Sequence, residues 1–185
     1  MRYGEGHKES VRTRIVDAAS RALRAGGIDG VSIPKLMKLV GLTHGGFYAH
    51  FRDRDELVAE ALMAAGQESA ERMLAEGTKP PEERFRGYLS KAHADHPEVG
   101  CVLAALGTEA SRQAPPVRRA FARIGRGFLR RIETVLHPES EPGTLSDEAL
   151  ETGARMVGAL VLARLVQDDA LAERILDAAR RPTTR

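Results

Sequence analysis

The sequence predicts an all-α protein, and three observations predict it. Aromatic residues make up only 4% of the chain and Trp is absent, while Ala, Leu, Arg and Glu are abundant, a mixture that favours helices over sheet. Apolar residues recur at helical spacing through most of the chain. Gly and Pro mark the breaks, at Gly26-Gly27, at Gly41 and in GTKPPEE from Gly77 to Glu83.

A chain of 185 residues suits one domain with a real core, or a small domain fused to a larger one. With 42% hydrophobic and 29% charged residues it falls in the globular range rather than the disordered one. The opening MRYGEGHKESVRTR has no apolar run that could serve as a signal peptide, and no stretch reaches the ~18 apolar residues of a membrane helix. The single cysteine, Cys101, cannot form an internal disulfide. Together these features lead to the expectation of a soluble, cytoplasmic protein with no membrane partner. Residues 1–51 hold 8 Lys+Arg and 4 Asp+Glu, so the N-terminal quarter is mildly basic and the remainder mildly acidic. That permits a polyanionic partner at the N-terminus.

From about Lys8 to Ala25, Val11, Ile15, Ala18, Ala19, Ala22 and Leu23 lie at helical spacing, with Arg12, Arg14, Arg21 and Arg24 mostly on the other side of the wheel. Gly26-Gly27 ends this helix. Ser32 is placed to cap a short helix, IPKLMKLV, that tolerates Pro34 in its first turn and buries Ile33, Leu36, Met37 and Val40. Gly41 stops it. Thr43 is a second N-cap, opening the barely two-turn helix HGGFYAHF, in which Phe47 and Phe51 are expected as core anchors. A longer helix followed by two short ones across a Gly-containing turn makes a helix-turn-helix. Asp53 or Asp55 starts the next helix, with Leu57, Val58, Ala61 and Leu62 on its stripe. Further helices are expected in EERFRGYLSKAHA, CVLAALGTEASRQ and PVRRAFARIGRGFLRRIETVL, then, after the polar loop HPESEPGTLS, at Leu145 to Val166 and Asp169 to Arg181. The expected division is a helix-turn-helix DNA-binding domain over 1–52 and a helical effector-binding and dimerisation domain over 53–185.

Gly45-Gly46 is the anomaly, since each glycine disfavours a helix interior by roughly 1 kcal/mol against alanine. A recognition helix gets its N-terminal residues nearest the base edges of the major groove, and two glycines there remove side chains that would hold the backbone away from DNA. Thr43, Tyr48 and His50 supply hydroxyl and imidazole groups suited to phosphate oxygens, with Lys35, Lys38 and Arg54 extending a positive rim. The competing reading is that THGG is a plain loop and the rings after it plain core.

The block from Ile15 through Leu62, and above all the pattern G-x-x-x-G-x-F-Y-x-H-F from Gly41 to Phe51, resembles the DNA-binding region of the TetR family of bacterial transcriptional regulators. By that resemblance Ser32 matches a hydroxyl that often contacts phosphate. Thr43, His44, Gly45 and Gly46 match the base-reading end of the recognition helix, and Tyr48 and His50 match phosphate-contacting positions. Arg54 stands where the family usually has lysine, which keeps the charge but changes its geometry. Met37 stands where a small alanine is commonest.

The resemblance implies a helical ligand-binding and dimerisation domain beyond about residue 65. A dimer is expected independently, because one helix-turn-helix makes few contacts and a two-fold pair about 34–36 Å apart solves that problem. The two C-terminal helices are the expected homodimer interface, where Gly153, Ala154, Gly158 and Ala159 would let backbones approach. Cys101, His93, Phe121, Phe128 and Met156 are the effector or sensor candidates. The segment from His96 to Arg112 is similar to one subgroup of the family in which a cysteine follows a glycine at the start of a central helix. A thiol near a helix N-terminus can be reactive, although a lone cysteine beside Val102 and Leu103 is more often inert core. His93, His96 and Cys101 are too loosely spaced, with Pro97 between them, to be read as a metal site, and no cofactor is expected. The predicted function is therefore a repressor that binds palindromic double-stranded operator DNA as a homodimer and is released by a small molecule or by modification of Cys101. Two alternatives stand beside it: a small thiol-dependent enzyme using Cys101 with His93 or His96, for which no motif orients a base or builds an oxyanion hole, and a ligand-binding module without DNA binding.

Overall fold

A computed structural model describes residues 5–75 and 79–181, and these residues are helical with no strand among them. The break expected at Gly77 to Glu83 lies partly outside the described residues. Helix α1 runs Glu5–Gly26 and α2 Ile33–Leu39, followed by a 3-10 helix, His44–Ala49, the recognition segment. Helix α3, Arg54–Ala75, leads to the short helices α4 (Pro81–Tyr88), α5 (Lys91–Asp95) and α6 (Val102–Leu106). The long α7 (Pro115–Leu136) is followed by α8 (Asp147–Leu165) and α9 (Asp169–Arg180).

The expected stripe of α1 is buried at Val11, Ile15, Ala19 and Leu23, one residue every four along one side. Helix α2 closes on Gly41, whose φ of 76° needs glycine. The Gly41 N–H donates to Lys38 O at 3.1 Å and the Leu42 N–H to Met37 O at 2.8 Å, the paired bonds of a Schellman stop. That stop sends the chain sharply into Thr43. The Thr43 hydroxyl accepts the Gly46 N–H at 3.3 Å, so the expected cap is present. Ser32 differs: its side chain makes no cap hydrogen bond, and only its carbonyl engages α2, accepting the Leu36 N–H at 2.9 Å. Helix α3 starts on Asp53 rather than Asp55. Asp53 Oδ1 accepts the Glu56 N–H at 2.8 Å, as an N-cap does, and Glu56 Oε2 accepts the N–H of the preceding Arg52 at 2.7 Å.

Phe47 and Phe51 are buried and stacked, with ring centroids 5.5 Å apart. Their cluster includes Leu57, Val58, Ala61 and Leu62 of α3, and it continues without a break into Val102, Leu106, Val117, Ala120 and Phe121. The core of the N-terminal unit thus runs across residue 52 and into the second part of the chain. A separate cluster joins Leu89, Cys101, Ile132, Met156, Leu160 and Leu176. Between the two, α3 and α7 approach closely enough at Gly66 that a Cβ there would lie 2.9 Å from Ile124.

The loop HPESEPGTLS is organised around one buried carboxylate. Glu133 accepts the Ser146 hydroxyl at 2.6 Å, the Ser146 N–H at 2.8 Å and the Ser140 hydroxyl at 2.8 Å, and Ser146 in turn caps α8 through the Ala149 N–H at 3.2 Å. Hydrogen bonds from the Ser146 hydroxyl, the Ser146 N–H and the Ser140 hydroxyl hold the Glu133 carboxyl at about 2, well below its ordinary value of 4.5. A carboxyl depressed on folding contributes stability that is complete above its unfolded pKa and lost as pH falls through the folded one. Glu133→Gln is therefore expected to lower the Tm by several degrees at neutral pH. The gap to the parent protein should narrow as pH falls from about 4.5 toward about 2. Thermal melts across that range check both points, and a gap independent of pH would contradict them.

Candidate nucleic-acid interface and effector cavity

The recognition segment is held from behind. Arg12 of α1 lies over the Phe51 ring at 4.2 Å. Its guanidinium donates to His50 O and to Glu60, and reaches Glu56 at 3.3 Å. Arg14 donates to Val40 O at 2.7 Å. These two arginines fix α1 against the end of α2 and against the recognition segment. The sequence pattern places them only on a polar face, because their acceptors lie 26 to 48 residues away.

What faces outward is the set expected to meet DNA. Thr43, His44 and Gly45 are exposed, and Tyr48 is 64% exposed. The ring edges of His44 and Phe47 flank Tyr48, with centroids 6.1 Å and 5.2 Å away. Lys35 and Lys38 are exposed on α2, and Leu39, which no sequence signal singles out, is 72% exposed beside them. His50 is half-buried, and its Nδ1 has no hydrogen-bond partner among the described residues. Burial first, then the charges of Lys8, Arg12 and His7, hold its pKa below the ordinary 6.5, so the ring is neutral near pH 7 in a basic neighbourhood.

The two glycines are not required by the fold. Neither Gly45 nor Gly46 has a positive φ. A Cβ on Gly45 would meet nothing within 4 Å, and one on Gly46 would make only ordinary contacts, 3.6 Å from Thr43 Oγ1 and 3.8 Å from Met37 Cε. Among the described residues no close approach or backbone conformation at Gly45 offsets its helical penalty. Arg54, by contrast, is committed internally, because its guanidinium donates to Ile28 O in the corner between α1 and α2. The structure uses its charge to brace that corner rather than presenting it alongside Tyr48.

A second feature is a cavity of about 1090 Å³ between α3, α7 and the α4 to α6 segment. His93, Cys101 and Phe128 line it. Phe121 and Met156 do not: Phe121 packs in the N-terminal cluster, and Met156, 1% exposed, packs in the second cluster. Of the five residues expected at an effector site, only His93, Cys101 and Phe128 are therefore brought together at this cavity. Phe121 lies seven residues before Phe128, far enough along α7 to fall in the cluster shared with α3 instead of the cavity.

Around Cys101 the polar groups are closely specified. The Cys101 N–H donates to His93 Nε2 at 2.9 Å, which leaves the His93 proton on Nδ1, donated to Tyr88 O at 2.6 Å. Burial is the main cause holding the His93 pKa below 6.5. Since Nε2 is occupied by a backbone N–H, His93 can neither take a proton from the Cys101 thiol nor ligate a metal without breaking that bond. His96 is exposed and faces Glu98 at 3.1 Å. Among the described residues no cluster of His, Cys, Asp or Glu could hold a metal ion. The cavity wall is also tied to the N-terminal unit. Arg24 of α1, 3% exposed, donates to Gly100 O at 3.0 Å and to Glu68 of α3 at 2.7 Å. Glu109, next to α6, accepts the Ile28 N–H at 2.9 Å.

Fold and site together define a two-part helical protein with an N-terminal helix-turn-helix and a cavity-bearing helical body. Residues 15–61, the segment that carries the helix-turn-helix, match the family described as bacterial regulatory proteins, tetR family. A curated HTH-type transcriptional repressor of Mycobacterium tuberculosis is 32% identical over 74 residues, 40% of this chain. The match spans 37% of that relative's length. Over nearly the whole chain the fold is that of solved TetR-family regulators. One from Agrobacterium tumefaciens has a TM-score of 0.77 at 22% identity, with 94% of this chain and 97% of that one covered. One from Chloroflexus aurantiacus has a TM-score of 0.75 at 24% identity, with 95% and 94% covered. The proteins it is similar to are regulators of transcription rather than enzymes, and among the described residues no helix is long and apolar enough to cross a membrane.

Proposed function

We propose that this chain is a ligand-responsive transcriptional repressor that binds a palindromic operator as a homodimer. The observation that carries the reading is the pair of glycines at Gly45 and Gly46, which the fold does not need, in the middle of the exposed surface formed by Thr43, His44 and Tyr48. Base edges are read by His44 and the backbone around Gly45, and phosphates by Tyr48, Thr43, His50, Ser32 and Lys35.

The dimer forms through α8 and α9. Leu150, Ala154, Gly158, Leu162 and Leu165 are exposed along one side of α8, with Leu171 exposed on α9. Of the four small residues expected at this interface, Ala154 and Gly158 face outward. Gly153 and Ala159 are buried, and a Cβ on Gly153 would lie 2.6 Å from Leu129 of α7. Small residues on both sides of α8 let it pack tightly against its own body and against a mate.

A small molecule in the cavity, or an electrophile attached to Cys101 on its wall, would shift Gly100 and so pull on Arg24 and α1. Release follows if the ligand binds the altered spacing of the two recognition segments more tightly than the operator-competent one. Selection of bound DNA from a random pool tests the reading. A palindrome with half-sites one helical turn apart, or a multiple of it, is expected, and recovery of no palindrome would sink it. Gly45→Ala isolates the carrying observation. Its Tm should be unchanged or slightly higher, while operator affinity falls by about tenfold or more as the methyl group meets the DNA. Unchanged affinity would remove the reason given for the glycines.

A further inference from the structure

We infer that the cavity takes an amphipathic organic anion, with the acidic group held by Arg131 and the Tyr88 hydroxyl and the apolar body lying along Ile124 and Phe128. This rests on the reading of the cavity as the effector site and specifies the ligand's chemistry.

The charge of the lining is one-sided. Six arginines line the cavity, among them Arg123, Arg126, Arg130 and Arg131 of α7, and the described lining includes no Asp or Glu. These four α7 guanidiniums have no hydrogen-bond or ion-pair partner among the described residues. Arg72 differs, because it is engaged by Glu68 and by Val99 O. A solvated arginine row on a surface helix would explain Arg123, Arg126 and Arg130, which are exposed. It does not explain Arg131, which is half-buried with no carboxylate beside it, burial alone lowering its pKa. Ile124, Gly127, Phe128 and Arg131 all line the cavity, and their spacing of three, four and seven puts them on one face of α7. That face therefore presents an apolar surface ending in a cation, with three further cations on the neighbouring stripe.

Tyr88 supplies the second polar group. Its ring lines the cavity and lies 5.8 Å from the Phe128 ring, and its hydroxyl is buried with no oxygen or nitrogen partner among the described residues, only the weakly bonding Cys101 thiol beside it. A buried phenol with only a thiol beside it is poorly satisfied, and a ligand that accepts its proton in a hydrogen bond removes that penalty. Burial, with the Cys101 thiol as neighbour, raises the phenol's pKa far above the ordinary range, so Tyr88 is a donor at neutral pH. A half-buried cation and a buried, poorly satisfied phenol donor above an apolar wall complement a carboxylate, sulfonate or phosphate on a hydrophobic body. They repel a cationic drug of the same size.

Two probes of nearly identical shape test the charge. With the full-length protein, 8-anilinonaphthalene-1-sulfonate should bind once per chain and at least tenfold more tightly than N-phenyl-1-naphthylamine, which lacks the sulfonate. Decanoate should displace it and decyltrimethylammonium should not. Arg131→Gln and Tyr88→Phe should each weaken the sulfonate probe about fivefold or more, with the neutral probe unchanged, and Arg131→Lys should restore most of the loss. Equal binding of the two probes, displacement by the cation, or indifference to both Arg131→Gln and Tyr88→Phe in variants of native helical content would overturn the inference. The assay contains no DNA. If the charge preference holds but no ligand changes operator binding, the anion site stands and the regulatory reading fails; if operator binding is seen without the charge preference, the reverse is true.

Discussion

Leu162→Asp, alone or with Leu165→Asp, is expected to leave a folded monomer whose operator affinity is lower by about 10²–10⁴-fold, because the second half-site no longer benefits from tethering. Leu162 is 53% and Leu165 67% exposed in the isolated chain, so either aspartate is solvated in the monomer and its Tm should hardly change. In a dimer the same positions would bring uncompensated carboxylates into an apolar interface beside their two-fold copies, where desolvation and like charge act together. Sedimentation velocity and a mobility-shift titration at one fixed salt concentration read the two effects. A variant that stays dimeric and binds DNA as before would place the interface elsewhere.

Arg24 is expected to give the largest effect on stability and signalling together. Its side chain is 1% exposed, and it joins Ser20 of α1, Glu68 of α3 and the Gly100 carbonyl on the cavity wall. Burial pushes the Glu68 carboxyl up, yet the hydrogen bond and charge of Arg24, with Arg72 and Arg21, outweigh this and keep its pKa below 4.5. Arg24→Ala removes four donor contacts and leaves a void. Breaking a buried pair by removing one partner is destabilising by about 3–5 kcal/mol, and because the Glu68 side chain is 35% exposed solvent screening brings the expectation to about 2–3 kcal/mol. Arg24→Met separates packing from coupling. It fills most of the volume, so stability should largely recover, but it cannot hold Gly100. Ligand-driven release of DNA should then require substantially more ligand while ligand affinity measured without DNA stays within about twofold. If Arg24→Met responds to ligand as the parent does, the link through Gly100 carries no signal.

Features set by local chemistry are legible in the residue pattern alone. The stripe Val11, Ile15, Ala19, Leu23 is buried as expected, because a helix face is defined by spacing alone. Thr43 caps the recognition segment, and Asp53, one of the two residues considered, starts α3, since an N-cap bonds a backbone N–H within three residues of itself. The exposed set Thr43, His44, Gly45 and Tyr48 lies within six residues, and Gly41 next to it forces the turn, so its proximity is legible for the same reason.

Long-range choices are not legible in that way. Phe121 and Phe128 share a helical face, but only the place where α3 crosses α7 sends the first into the core and the second to the cavity. Helix α8 is small or apolar nearly all round, so its sequence does not reveal that Gly153 faces Leu129 while Gly158 meets nothing within 4 Å. Arg12, Arg24 and Arg54 look alike in a basic, amphipathic N-terminus. The distant acceptors Glu60, Gly100 and Ile28 decide that each braces the fold. Residue spacing alone settles the helices, their stops and the make-up of the exposed segment from Thr43 to Tyr48, because those depend on residues within about one turn of each other. Which arginines are internal and which remain unpaired around the cavity was decided only by tertiary structure, because a buried cation is stabilised by whichever distant carbonyl or carboxylate the packed helices bring within reach.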